Sequence, residues 1–188
     1  MHFPTKALLA ILATSVGLAT SAAVPPHVEL QDRSSKITFT VLNKCKHSFA
    51  PIFTPPLPGR SSWPVLAHNE QAVHTFKSDT YRGKVFSPLR KADTTTGDGA
   101  TWGELALDDG DYNVSLEGGY NVPLLIWNQG RQYQGYCTPA WCDGPSCKDA
   151  YKASSGLLEG QGQRSGGETR KPNHSCPPSF GNWIVQFC

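Results

Sequence analysis

Thr101-Trp102-Gly103-Glu104-Leu105-Ala106-Leu107-Asp108-Asp109-Gly110-Asp111-Tyr112-Asn113-Val114-Ser115-Leu116 alternates apolar and polar side chains on either side of an Asp-Gly pair. Alternation with period two is the mark of a half-buried strand. Asp-Gly signals a two-residue hairpin turn, because glycine accepts the positive φ that such turns need. With Asp109-Gly110 as the turn centre, Leu107 pairs with Tyr112 and Leu105 with Val114. Leu105, Leu107, Tyr112, Val114 and Leu116 then share one face. Glu104, Ala106, Asn113, Ser115 and Glu117 share the other. A slip of one residue would set Leu105 against Asn113 and mix the faces, so the pattern selects this register.

Working outward, Lys36-Ile37-Thr38-Phe39-Thr40-Val41-Leu42 sets Ile37, Phe39 and Val41 against threonines, a second half-buried strand. Residues 50–64 hold Pro51, Pro55, Pro56, Pro58 and Pro64 with Gly59. Proline removes ladder donors, so this stretch is expected to be loop. Residues 71–76, 83–86 and 120–127 are strand candidates, the last with Pro123 implying an edge or a bulge. Residues 182–187 form a terminal strand in which Trp183, Val185 and Phe187 share a face. Between Cys142 and Cys176 the composition turns polar and glycine-rich. Only residues 147–158 have the makings of a short helix. No internal repeat is present. Short strands with turn signals and few helices predict a β-sandwich.

At the other end, Lys6 precedes the apolar run Ala7-Leu8-Leu9-Ala10-Ile11-Leu12-Ala13, and Ser21-Ala22-Ala23 supplies small residues. That order predicts a secretory signal peptide over residues 1–23. The run, broken by Thr14 and Ser15, falls short of the roughly 20 apolar residues a membrane span needs. Residues 24–35, with Pro25-Pro26, read as a loose arm, leaving residues 36–188 as one domain. A net charge of +2 and the lack of a basic stripe argue against a nucleic-acid partner. All six cysteines (Cys45, Cys137, Cys142, Cys147, Cys176 and Cys188) follow the leader. An even count in a secreted chain favours disulfides. The competing metal site has the wrong spacing for a zinc knuckle, and no histidine lies between Cys137 and Cys147. Spacing alone does not choose the pairing.

Several segments, taken in order, resemble thaumatin-like proteins. Thr38-Phe39-Thr40-Val41-Leu42-Asn43-Lys44-Cys45 is similar to the family's opening strand, a Phe-x-x-x-Asn-x-Cys run. Gly83-Lys84-Val85-Phe86 resembles its Gly-basic-aliphatic-aromatic strand, and Thr101-Trp102-Gly103-Glu104-Leu105-Ala106-Leu107 its Thr-Leu-Ala-Glu-Phe-x-Leu strand. Tyr112-Asn113-Val114-Ser115-Leu116 and Gly119-Tyr120-Asn121-Val122-Pro123-Leu124 look like its Tyr-Asp-Val-Ser-Leu and Gly-Phe-Asn-aliphatic-Pro segments. Trp183-Ile184-Val185-Gln186-Phe187-Cys188 shares its Phe-Cys ending. The resemblance implies a mainly β fold, a two-sheet antiparallel β-sandwich of the thaumatin type, with the cysteine-rich second lobe largely missing. It also implies a Cys45–Cys188 bridge. By position Cys137 then pairs with Cys176, leaving Cys142 with Cys147, a departure from the family.

The resemblance further implies a secreted, extracellular protein that is antifungal or acts in defence, and whose partner is β-1,3-glucan or a related cell-wall polysaccharide. Of the family's cleft residues, one arginine, one glutamate and three aspartates, Glu104 carries over. The first aspartate is Asn113 here. The second falls at Gly118 beside Glu117, and the arginine at Pro88, with Arg90 close by. In the register above, Glu104 opposes Ser115 and has Glu117 as its diagonal neighbour, roughly 7–8 Å away. Glycosidases need two carboxylates about 5–9.5 Å apart, so Glu104 and Glu117 are the candidate catalytic pair of a weak endo-β-1,3-glucanase. The alternative is two solvated carboxylates on a polar hairpin face. Asn113, Arg90, Tyr133, Tyr136 and Trp141 are candidate carbohydrate-binding residues, the aromatics by stacking on sugar rings or by packing on the disulfides. Asn113 and Asn173 head glycosylation sequons. No histidine has catalytic spacing with a nucleophile. Neither cofactor nor metal is expected, and the chain is read as a monomer. Binding without hydrolysis is the leading expectation, and action on a secreted protein target, as inhibitor or effector, is a further one.

Overall fold

Ile37, Phe39 and Val41 are each 2% exposed or less, while Thr38, Thr40 and Leu42 between them stay partly open, so the first strand buries one face as its alternation requires. It is β1, Lys36–Asn43, in a computed structural model that describes residues 36–77, 80–129, 137–151, 174–176 and 181–188. The strands that follow are β2 (Ile52–Thr54), β3 (Gln71–Lys77), β4 (Arg82–Phe86), β5 (Trp102–Ala106), β6 (Asp111–Ser115), β7 (Leu124–Asn128), β8 (Ala140–Cys142), β9 (His174–Ser175) and β10 (Asn182–Phe187), with a tight 3-10 turn at Leu89–Lys91. The predicted signal peptide, the arm and the sequon at Asn173 lie outside the described residues.

The strands form two sheets, in the orders β3-β1-β10-β7-β8 and β2-β4-β5-β6-β9. Among the described strands only β1 and β10 pair in parallel, and they meet side by side in the centre of one sheet. All other pairings are antiparallel. The inner faces close on Phe39, Val41, Val85, Leu105, Tyr112, Val114, Leu124, Ile126, Val185 and Phe187, all 1% exposed or less. Phe39 meets Phe53 edge-on at 5.6 Å, and Tyr112 meets Trp183 edge-on at 4.9 Å, joining the two sheets. At Gly103 the backbone of β5 comes so near the other sheet that a Cβ would lie 2.5 Å from Ile126 Cδ1. This is a two-sheet, largely antiparallel β-sandwich, as the strand pattern predicts. The structure joins Cys45 to Cys188, Cys137 to Cys176 and Cys142 to Cys147.

Four expectations are corrected. The proline-rich stretch 50–64 holds a strand, β2, between Pro51 and Pro55. It pairs only with β4, and an edge position tolerates flanking prolines. The strand expected over 120–127 begins only at Leu124, after Pro123, and lies inside the sheet between β10 and β8. Of the short helix expected over 147–158, the described part, residues 147–151, forms turns and a bridge to Ser115, and residues 152–158 lie outside the described residues. The hairpin register is Leu105↔Tyr112 and Glu104↔Asn113, two residues from the expected pairing. Leu107 leaves the ladder to donate its amide to Tyr81 O, and Gly110 carries φ +76°, closing a four-residue loop. Arg82 holds that loop through the carboxylates of Asp108 and Asp109. A slip of two residues leaves every side chain on its original face, so the apolar pattern could not detect it.

The Cys45–Cys188 bridge spans 143 residues and the Cys142–Cys147 bridge 5. In the chain-entropy model these loops stabilise by about 5 and about 2 kcal/mol. Urea unfolding of Cys45→Ser/Cys188→Ser is expected to show a markedly larger loss than Cys142→Ser/Cys147→Ser. Equal losses would count against the terminal clasp as the main covalent constraint.

Candidate functional site

The polar face of the β5–β6 hairpin is enclosed. Glu104 is 1% exposed, and Asn113 and Ser115 are fully buried. Asn113 Nδ2 donates to Glu104 Oε2 at 2.7 Å, directly across the strand pair. On the other side of β5, Lys84 stands opposite Glu104. Its Nζ donates to Thr96 O and lies 3.3 Å from the centroid of the Trp102 ring. Burial holds the Lys84 ammonium below the usual lysine range, while Asp98, Glu104 and Glu117 pull it upward. The Trp102 ring is fixed by Nε1 donating to Gly97 O at 2.8 Å. It is also approached so closely by Gly118 that a Cβ there would lie 2.4 Å from Cε2. With its faces so occupied, Trp102 offers little surface for stacking.

The expected pair of carboxylates is therefore not assembled as drawn. Asn113, not Ser115, faces Glu104, and Glu117 lies four residues further along the chain. Glu117 lies past the end of β6, in a bend where Gly119 N donates to Leu116 O, and both carboxylates draw on the Lys84 ammonium. Glu117 is exposed and Glu104 is sealed, so no single solvated cleft holds both. The sequon at Asn113 is likewise corrected as a glycan site. Its amide is fully buried and engaged with Glu104, and a glycan on Nδ2 is incompatible with that packing. Arg90 lies elsewhere, beside the Cys45–Cys188 bridge.

The outer face of the β3-β1-β10-β7-β8 sheet brings together residues that sequence reasoning mostly missed. One row across it reads Trp141, Leu125, Gln186, Leu42, Gln71, and the next Trp127, Ile184, Thr40, Val73. Trp141 is 51% and Val73 52% exposed, and Trp127, Leu125 and Leu42 are half-buried. Trp127 and Trp141 are diagonal neighbours, roughly 7–8 Å apart at Cα. Of the predicted aromatics, Trp141 is on this surface, whereas Tyr133 and Tyr136 lie outside the described residues. The signal for this face was present as the alternation in Leu125-x-Trp127 and Ile184-x-Gln186, read for its inward half only.

A polar chain fixes the strand that carries Trp141. His174, 9% exposed, meets Thr138 Oγ1 through Nδ1 at 2.8 Å and Asp149 through Nε2 at 3.0 Å. Asp149 Oδ2 in turn accepts the Trp141 amide at 3.2 Å. A hydroxyl–imidazole–carboxylate series resembles a nucleophile relay, but the residue after Thr138 is Pro139, which has no amide to stabilise an oxyanion. The series acts as a strut. Among the described residues, no group of three or more His, Cys, Asp or Glu side chains is placed to hold a metal ion, and no helix is long and apolar enough to cross a membrane.

No family model matches the chain, and no curated protein matches it. Among solved structures, it is similar to the thaumatin-like xylanase inhibitor TLXI. That likeness has 14% identity and a TM-score of 0.46, and covers 80% of this chain and 98% of that one. It is also similar to the protein elicitor MoHrip2 from Magnaporthe oryzae, at 14% identity and a TM-score of 0.41, over 81% and 98% of the two chains. At this level of similarity neither likeness bears on the activity of this chain.

Asn113→Asp is expected to place a second carboxyl against buried Glu104. Mutual repulsion raises the folded-state pKa of the pair, so stability falls as pH rises. Urea titrations should show a loss of about 3 kcal/mol at pH 7 and a smaller loss at pH 4; a loss independent of pH would contradict the contact. Mass analysis of the protein made in a glycosylating host should find Asn113 unmodified.

Proposed function

We propose that this chain is a secreted thaumatin-like protein, of the defence or wall-associated kind, that binds β-1,3-glucan or a related cell-wall polysaccharide without hydrolysing it. The observation that carries this reading is the outer sheet face, where Trp141 and Trp127 sit diagonally beside Leu125 with Gln186 and Thr40 alongside. Sugar rings present flat C–H faces that stack on indoles and hydroxyls that pair with amides and side-chain hydroxyls. A face five strands wide suits an extended chain of sugars better than a single residue. Three disulfides fit an oxidising, extracellular compartment, and the apolar leader at residues 1–23 fits export.

Catalysis is disfavoured by the same geometry. The glucanase alternative needs Glu104 to reach a glycosidic oxygen, yet its carboxylate is buried and hydrogen-bonded across the strand. Hydrolysis also requires a second carboxylate at glycosidase spacing, and the residue facing Glu104 across the hairpin is Asn113, an amide.

Pull-down on insoluble β-1,3-glucan is expected to retain the parent protein, and Trp141→Ala to lose retention at least tenfold. Glu104→Gln should be retained as the parent is, and no preparation should release reducing sugar from laminarin. Unchanged retention of Trp141→Ala would overturn the outer-face reading. Sugar release abolished by Glu104→Gln would restore the enzyme.

A further inference from the structure

A concave feature lies at the end of the sandwich where the Cys45–Cys188 disulfide sits. It is a depression of about 640 Å³ lined by Lys44, Cys45, Lys46, His47, Leu89, Arg90, Val122 and Cys188. Leu89, Val122 and the Cys45–Cys188 bridge supply its apolar lining, and Lys44, Lys46 and Arg90, all exposed, its charge. Among the described residues, no Asp or Glu side chain forms an ion pair with these three cations. In a chain whose net charge is only +2, this is a local concentration of one sign.

The walls are held from behind. On one side Asn43, fully buried, donates through Nδ2 to His47 O at 3.0 Å and Leu66 O at 2.7 Å. Its Oδ1 accepts the Cys45 amide at 2.8 Å. That clamps the turn carrying Lys44, Lys46 and His47. On the other side Asn121, 2% exposed, donates to Ser87 O at 2.8 Å and Leu89 O at 2.9 Å, and its Oδ1 accepts from Thr101 N at 3.0 Å. That clamps the turn carrying Arg90. Arg90 and Lys91 both adopt positive φ, 56° and 64°, a conformation that costs energy in residues with a Cβ. Two buried asparagines thus hold two basic turns on either side of an apolar floor, one of them in an unfavourable backbone conformation. A frame of this kind presents charge with little left to order on binding.

From this frame we infer a docking site for an acidic peptide segment of a partner protein, one that sets an aliphatic side chain on the floor and flanking carboxylates against Lys44, Lys46 and Arg90. The volume lies within the range of roughly 300–1,000 Å³ usual for ligand pockets. No Trp, Tyr or Phe ring lines the depression, which disfavours sugar or base stacking. The charge is gathered around a hollow, whereas a nucleic acid calls for an extended basic stripe. The site is separate from the outer sheet face and does not depend on the polysaccharide reading.

The test uses the disulfide-intact protein and fluorescein-labelled Glu-Glu-Leu-Glu-Glu, with Gln-Gln-Leu-Gln-Gln as the neutral counterpart and an oligogalacturonide as a carboxylate-bearing sugar. Fluorescence anisotropy at low salt is expected to show saturable binding of the acidic peptide and none of the neutral one. Lys46→Glu/Arg90→Glu should weaken that binding at least tenfold. Lys36→Glu/Lys77→Glu, with the same change in net charge on a different part of the fold, should leave it within twofold. Urea unfolding of both variants reports on folding, and retention of Lys46→Glu/Arg90→Glu on β-1,3-glucan reports separately on the outer face. Equal weakening by the two variants would reduce the effect to net charge and overturn the inference. So would absence of peptide binding, or binding of the oligogalacturonide alone with loss in Lys46→Glu/Arg90→Glu.

Discussion

The sandwich depends on a meeting between its first and last strands. β1 and β10 run side by side at the middle of one sheet, and the Cys45–Cys188 bridge fastens them just beyond the ladder. Phe39, Val41, Val85, Val185 and Phe187 are sealed around that pairing, and Lys44 N donating to Phe187 O carries it to the disulfide. Remove that junction and the sheet divides into β3-β1 and β10-β7-β8, each too narrow to cover the opposite sheet. The outer face and the basic depression are both built on the same junction. One uses the outward side chains of β1 and β10; the other uses the turn that follows β1.

Much of this arrangement was legible from residue pattern. Ile37, Phe39 and Val41 declared an inward face, as did Trp183, Val185 and Phe187, because period-two alternation at a half-buried sheet reports burial directly. The hairpin from Trp102 to Ser115 was legible as to faces but not as to register. A four-residue loop through Leu107 and Gly110 keeps the same side chains inward as a two-residue turn would. What chose between them was tertiary: the Leu107 amide bonding Tyr81 O, and Arg82 reaching Asp108 and Asp109. β2, β8 and β9 escaped notice because strands of two or three residues carry too little alternation to register.

The candidate sites were legible in proportion to how local their logic is. Glu104 was singled out correctly as unusual, but its partner was not, since a register error of two exchanged Asn113 for Ser115. That exchange changes the chemistry. A carboxylate opposite a serine and diagonal to Glu117 suggests acid–base work, while one bonded to a buried amide and facing Lys84 is a structural device inside a covered polar layer. Trp141 was chosen for being aromatic near cysteines, and its place on the outer sheet face emerged only once β8 was laid beside β7 and Trp127 came into view. The hydroxyl–imidazole–carboxylate strut through Thr138, His174 and Asp149 joins positions 36 and 25 residues apart, with no pattern in the sequence to connect them.

The central parallel pairing also orders events in time. β1 is synthesised early, yet one of its two neighbours, β10, is the last strand made. Until β10 arrives, a strand with Phe39 and Val41 on one side and unpaired backbone groups along one edge has to wait. Contacts this distant in sequence close slowly, because loop entropy is lost before the pairing rewards it. A nascent chain of this design therefore holds its most sheet-prone segment uncovered until β10 is made, and it gains from any chaperone that keeps that edge occupied until then.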